Sequence, residues 1–176
     1  MSDRSGQEKP ALLYGFPPLG GDGPTGTARL LVLGSFPSIR SMEKGEYYGH
    51  ERNHFWPLLA LAAGLPDAPS TYDARRALAV SLGLLIWDMV AICSRRTSSD
   101  NNLIIHQLND IPGLLAANPS LIRIGLNGGL AATLFLRQCT GGRMRVRSDA
   151  PFPALEAGQE LASAGGRAML HLDSRH

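Results

Sequence analysis

A chain of 176 residues is sized for one domain with its own core. An apolar fraction of 44% and a mean hydropathy of -0.05 describe a soluble globular protein and exclude a disordered tail. The net charge of +2 is uneven: residues 1–94 carry 8 basic and 9 acidic side chains, residues 95–176 carry 9 and 6. No apolar run approaches the ~18–20 residues of a membrane helix, so no membrane association is expected. The N-terminus shows no signal peptide, and Cys93 and Cys139 form no C-x-x-C, which points to a reducing cytoplasm and away from a disulfide framework.

In chain order, residues 1–28 are rich in Gly and Pro and read as an irregular lead-in. RLLVLG (29–34) reads as a buried parallel strand and empties into GSFPS, where Pro37 forbids strand continuation. Residues 54–63 read as a helix stopped by Gly64 and Pro66. DARRALAVSL (73–82) reads as a second helix with Asp73 as N-cap. LGLLIW (82–87) is a second strand, CSRRTSSDNN (93–102) a polar loop, and LIIHQLND (103–110) and IPGLLAAN (111–118) two helical pieces, Pro112 falling in a first turn. LIRIGL (121–126) is a third strand, GGLAATLFLRQ (128–138) a helix behind it, and RAMLHL (167–172) a fourth strand after a loop holding Arg143, Arg145 and Arg147. That arginine triplet suits phosphate oxygens and equally an ordinary solvated loop.

Strands alternating with helices imply a three-layer α/β sandwich, a single domain over 1–176, with a parallel sheet covered on both faces. In such folds the site lies outside the carboxyl ends of the strands. Here those ends are GSFPS, WDMV, NGG and LHLDS.

Residues 50–54, HERNH, match the zinc motif H-E-x-x-H, which needs one uninterrupted helix so that both histidines share a face. Gly49 immediately precedes the motif and Pro57 follows it. A helix begun near Glu46 would place Pro57 deep in its interior. One begun with Asn53 as N-cap places it in the first turn and leaves His50 in a loop. A third ligand at the metallopeptidase spacing is also missing. The sequence therefore favours loop residues before a helix, and no metal or cofactor is expected.

Taken together, LLVLGSFPSIRS and EYYGHERNHFWPLL, with Trp87–Asp88 after the second strand, Asn127–Gly128 after the third and GFPP at Gly15–Pro18, resemble the uracil-DNA glycosylase superfamily. The likeness covers about residues 14–138 and is closest to the deoxyinosine (hypoxanthine) branch. The resemblance implies a four-stranded parallel sheet with flanking helices, and a partner, DNA, from which a deaminated base is flipped into a pocket at the strand ends. It implies that Asn53 is the catalytic residue, that the base stacks on Tyr48, and that Phe36 stands at the pocket position where related branches carry a water-activating Asp or Asn. Backbone N–H groups of the turn at Gly34 and Ser35 can approach the base or water, since Gly34 removes the side-chain obstacle, and Asp88 either joins the pocket or merely caps a helix or braces a loop. A monomeric, monofunctional hydrolase of the N-glycosidic bond follows, a deaminated-base repair enzyme for hypoxanthine or uracil. A catalytically degenerate DNA- or base-binding relative is the alternative.

The chemistry of the residues fits. Glycosidic cleavage puts negative charge on the departing base, and a donor aimed at it stabilises the transition state. Uracil and hypoxanthine present a keto acceptor beside an N–H, which an amide complements if it is held against flipping. Asn53 also has the plainer role of helix cap, Phe55 and Trp56 read as core aromatics, and Asn127 as a strand-end turn residue. The family's last motif, a wedge loop after the fourth strand, is matched here only by Leu172 and Ser174 in one register, or by His171 in another. A preference for single-stranded or mismatched sites, where extrusion is cheapest, is the expectation.

Overall fold

The computed structural model describes residues 11–20, 27–95, 103–140 and 167–171. The main sheet holds β2 (Leu30–Gly34), β3 (Leu84–Asp88), β6 (Arg123–Asn127) and β7 (Arg167–His171) in the order β3-β2-β6-β7. β2 runs parallel to both neighbours, with Leu31 opposite Leu85 on one side and Ile124 on the other. The expected apolar runs are thus the three parallel strands.

The expected all-parallel sheet is corrected at its edge. β7 is antiparallel to β6, pairing Arg167 with Asn127 and His171 with Arg123. An alternating apolar pattern reads the same in either direction, so the segment's sequence does not reveal this; an antiparallel edge is a common variation on a parallel sheet. The geometry puts His171 at the end of the sheet opposite the carboxyl ends of β2, β3 and β6. Leu172 and Ser174, the wedge candidates, and the arginine triplet at 143–147 lie outside the described residues.

A second sheet, antiparallel, has the order β1-β4-β5, from β1 (Leu13–Tyr14), β4 (Val90–Ser94) and β5 (Ile104–Leu108). β4 leaves β3 through the single residue Met89, whose N–H donates to Gly34 O at 2.9 Å, while Val90 N–H donates to Ser35 O at 3.0 Å. β5 corrects the helical reading of LIIHQLND. The pairing of Ile105 with Cys93 and of Leu108 with Val90 overrides the helix propensity of Leu and Gln, and adjacent β-branched isoleucines favour the extended form.

Among the described residues five helices complete the fold: α1 (Ile39–Lys44), α2 (Phe55–Ala62), α3 (Tyr72–Ser81), α4 (Ile111–Ala117) and α5 (Gly129–Thr140). The period of two along β2 divides the core. Leu31 and Leu33 face a cluster with Leu85, Ile124 and Leu126, closed by Ile111 of α4 and Leu134 and Phe135 of α5. Leu30 and Val32 face the opposite cluster, where Ile86 packs with Trp56 of α2 and Ala79 of α3. Helices therefore cover both faces, as the alternation of elements requires.

The caps follow their chemistry. Asp110 Oδ1 accepts from Gly113 N–H at 2.9 Å, with Pro112 in the first turn of α4 as expected. α3 is capped by Thr71, not Asp73: Thr71 Oγ1 accepts from Ala74 N–H at 3.3 Å. Asp73 sits one position into the helix, where its charge suits the amino end of the dipole.

Candidate active site

A cavity of about 340 Å³ opens at the carboxyl ends of β2, β3 and β6. Its walls come from the Gly34–Ser38 turn, Asp88 at the end of β3, Asn127 at the end of β6, and Ser41, Tyr47, Tyr48 and Asn53. All six residues singled out from the sequence (Gly34, Ser35, Phe36, Tyr48, Asn53 and Asp88) meet at this one cavity. Asn127, read as a turn residue, also lines it, and the strand-end rule was the signal for it. Pro37 and Ser41 lie in the stretch LLVLGSFPSIRS, but no pocket role is read for either from the sequence.

The β2–β3 corner is closely fitted. A Cβ placed on Gly34 would fall on Asp88 Oδ1, and would sit 3.6 Å from the Tyr48 hydroxyl. Only glycine lets the carboxylate approach the strand this closely. Asp88 is 4% exposed. Its backbone is braced from behind: Asn109 Nδ2 donates to Asp88 O at 2.8 Å, and Gln138 Nε2 of α5 donates to Asn109 O at 2.8 Å.

The opposite wall is the loop from Glu46 to Asn53. Tyr47 anchors it, 4% exposed. Its hydroxyl donates to Pro17 O at 3.2 Å, and its N–H donates to Tyr72 Oη at 2.9 Å. Its carbonyl accepts from Trp56 Nε1 at 2.9 Å. Burial first, and then the charge of Asp88, pushes the Tyr47 phenol far above its ordinary value, so it remains a protonated donor. A buried serine ties this loop to α1: Ser41 Oγ accepts from Gly49 N–H at 3.0 Å and from Ser38 Oγ at 3.0 Å.

Anchoring Tyr47 inward leaves Tyr48 in the left-handed region, with φ of 54°. Among the described residues it is the one non-glycine with positive φ; tyrosine has no local preference for that region, so surrounding contacts hold it there. Its ring stacks on Phe55 at 4.0 Å between centroids, with 23° between planes. Phe55 is therefore a support beneath Tyr48, half-buried, while Trp56 is the core residue expected, 2% exposed.

Asn53 stands one residue before the N-cap position, which His54 occupies without a side-chain bond. Asn53 Oδ1 accepts from Phe55 N–H at 2.9 Å, so the capping function expected of Asn53 is present in altered register. This bond also fixes the amide. Flipping it would set an NH₂ against an N–H.

HERNH is not helical. His50 lies in the loop, its Nδ1 accepting from Arg52 N–H at 3.0 Å, and α2 begins only at Phe55. Among the described residues no three His, Cys, Asp or Glu side chains come together as metal ligands. On the outer side of the loop, Lys44 Nζ sits 2.7 Å from Glu51 Oε1, and Arg40 NH2 lies 3.1 Å from the same oxygen. Glu51 is thereby held well below the usual carboxylate range, at about 2, with Lys44 the largest influence.

Comparison with known proteins gives a consistent picture. The family model described as the uracil DNA glycosylase superfamily matches residues 21–167. A hypoxanthine DNA glycosylase of Methanosarcina acetivorans is 33% identical over 99 residues, covering 56% of this chain and 63% of that one. This chain thus matches just under two thirds of that relative's length. One from Methanosarcina barkeri is 29% identical over 114 residues, covering 65% and 70%. A solution NMR structure from Methanosarcina acetivorans, determined as a candidate uracil DNA glycosylase, superposes with a TM-score of 0.61 at 30% identity. The superposition covers 72% of this chain and 78% of that one.

Proposed function

This chain belongs to the uracil DNA glycosylase superfamily, and from that premise we propose that it hydrolyses the N-glycosidic bond of a deaminated base, hypoxanthine or uracil, in DNA. The observation that carries the reading is the held amide of Asn53 on the wall of the strand-end cavity. With Oδ1 engaged by Phe55 N–H, Nδ2 is the group Asn53 offers a ligand. It is a hydrogen-bond donor. A keto oxygen gains negative charge as the base departs, so a fixed donor to it binds the transition state more strongly than the substrate. An exocyclic amine, as on adenine or cytosine, would meet that donor with another donor and lose the interaction.

Tyr48, backed by Phe55, supplies the stacking face, worth roughly 1–3 kcal/mol per base. The Asp88 carboxylate brings negative charge to the cavity, suited to the cationic sugar or to the water that attacks it. Hydrolysis leaves an abasic site and an intact strand. Strand cleavage would need an amine free to attack the sugar as nucleophile, and the lysine nearest the cavity loop, Lys44, is engaged on the outer side of that loop in an ion pair with Glu51. Neither metal nor cofactor enters this chemistry.

Oligonucleotides containing hypoxanthine or uracil, single- and double-stranded, test the reading directly. Release of free base without strand scission, faster from single strands, is the expected result. No covalent adduct should form under borohydride. Binding of lesion DNA without base release would instead establish a degenerate family member.

A further inference from the structure

We propose that Arg95 is a positioning residue of the pocket, holding the Gly34–Ser38 turn in the shape the base requires; the inference rests on the cavity being a base pocket. Arg95 follows the last residue of β4, in a segment whose sequence reads as a polar loop, yet it is only 8% exposed. An arginine side chain does not shed its proton, and a buried charge is retained against its desolvation cost only where its contacts compensate. Those contacts converge on the pocket turn. One terminal nitrogen donates to Pro37 O, and the same nitrogen lies 3.7 Å from Met42 Sδ of α1. The guanidinium carbon sits 5.1 Å from the centroid of the Phe36 ring. Phe36 and Pro37 both line the cavity.

The Pro37 carbonyl explains why a donor from elsewhere is needed. The first intrahelical acceptor of α1 is Ser38 O, which takes Met42 N–H at 2.9 Å. Pro37 stands before the cap, so its carbonyl is outside the helical ladder. Arg95 reaches it across 58 residues of sequence and at the same time lies against the ring of Phe36. Both flexible elements of the turn, a peptide carbonyl and a side-chain rotamer, are therefore fixed by one group that does not itself line the cavity.

Single-turnover excision and amide hydrogen exchange on wild type, Arg95→Met and Arg95→Lys test this. Arg95→Met keeps the unbranched stem and removes the cation and the donor. Its excision rate should fall roughly 10–100-fold, the scale of a small misplacement of reacting groups, at a half-saturating DNA concentration within about two-fold of wild type. Exchange of the amides from Ser35 to Met42 should speed up, with those of β6 unchanged. Arg95→Lys, which keeps a charged donor, should recover part of both. A methionine variant with wild-type excision per folded molecule, or with unaltered protection in the turn, overturns the proposal, as does a lysine variant that recovers neither. Should the methionine variant not fold, Arg95→Gln carries the same readouts, and wild-type rate and protection there overturn it equally. A wild type that excises neither base refutes the glycosylase reading, and the exchange measurement still decides whether Arg95 holds the turn.

Discussion

The loop from Glu46 to Asn53 has two sides built on different physics. Its inner side carries Tyr47, Tyr48 and Asn53, fixed by burial, ring stacking and directed hydrogen bonds. Its outer side carries Glu51, tied to Arg40 and Lys44 by ion pairs in full contact with water. Exposed pairs contribute little, since solvent and salt screen them. The outer network orients the loop, and the inner contacts fix it. Substitutions on the two sides should accordingly differ in size and in kind.

The sharpest test is at Asn53, where two roles share one side chain. Asn53→Ala removes both the amide donor and the acceptor for Phe55 N–H, and should lower excision by a factor of ~10² or more and stability by about 1 kcal/mol. Asn53→Asp retains an acceptor oxygen and loses the NH₂. It should be as inactive as the alanine variant while melting like wild type. If the aspartate variant excises normally, donation to the base is not what Asn53 does.

Gly34→Ala comes next. The new methyl group would displace the Asp88 carboxylate at the β2–β3 corner, and a drop in excision of roughly 10-fold is expected from the disturbed geometry. Melting and excision measured together decide it: a loss of stability with full activity would separate Asp88 from the reaction.

Tyr47→Phe probes the anchor. Losing the hydrogen bonds to the Phe16 and Pro17 carbonyls should cost about 1 kcal/mol. The gap should narrow in alkali. The native phenol is raised above its ordinary value of 10.0, so above pH 10 the unfolded chain releases a proton that the folded one keeps. Stability present below pH 10 is therefore lost as pH rises in wild type, and this contribution is absent in the phenylalanine variant. Equal alkaline slopes for the two proteins would contradict the burial of that hydroxyl.

Glu51→Gln should have the smallest effect, with excision within about two-fold of wild type and a melting temperature within about 2 °C. The lowered Glu51 carboxyl contributes fully above its ordinary value of 4.5, and the contribution is lost as pH falls from there through about 2. About 1 M salt should erase it at neutral pH. A large loss of excision here would mean that the outer network positions Asn53 after all.

The parts of this molecule legible in the sequence are those whose signal is local. RLLVLG, LGLLIW and LIRIGL are apolar runs too uniform for a half-exposed strand, and they became the parallel core of the sheet. GSFPS and YYGHERNHFW place Gly, Pro, Asn and aromatics at fixed spacings, and the residues chosen from them line one cavity. What was missed depends on partners far away in the chain. β5 is a strand because β4 lies beside it, and the direction of β7 is set by how the chain arrives rather than by its side chains. Thr71 caps α3 because the helix begins two residues earlier than a cap at Asp73 implies. Arg95 looked like one more loop cation, its role visible only once Pro37 stands next to it.

The lead-in, read as irregular, has a consequence for the order in which the chain assembles. Leu13 pairs with Cys93, Leu19 bridges Ile86, and Phe16 O accepts from Trp87 Nε1 at 3.1 Å. This strut precedes in sequence the two strands, β3 and β4, against which it docks. Its contacts are long-range, 71 residues separating Phe16 from Trp87, and are slow to close for that reason. The same separation makes the strut a natural unit of local opening, able to detach while β2, β3 and β6 remain paired. Because its Phe16 and Pro17 carbonyls hold the Tyr47 hydroxyl, each such opening would loosen one wall of the cavity. The contacts that close the strut over long sequence separations are thus also those that brace one wall of the pocket.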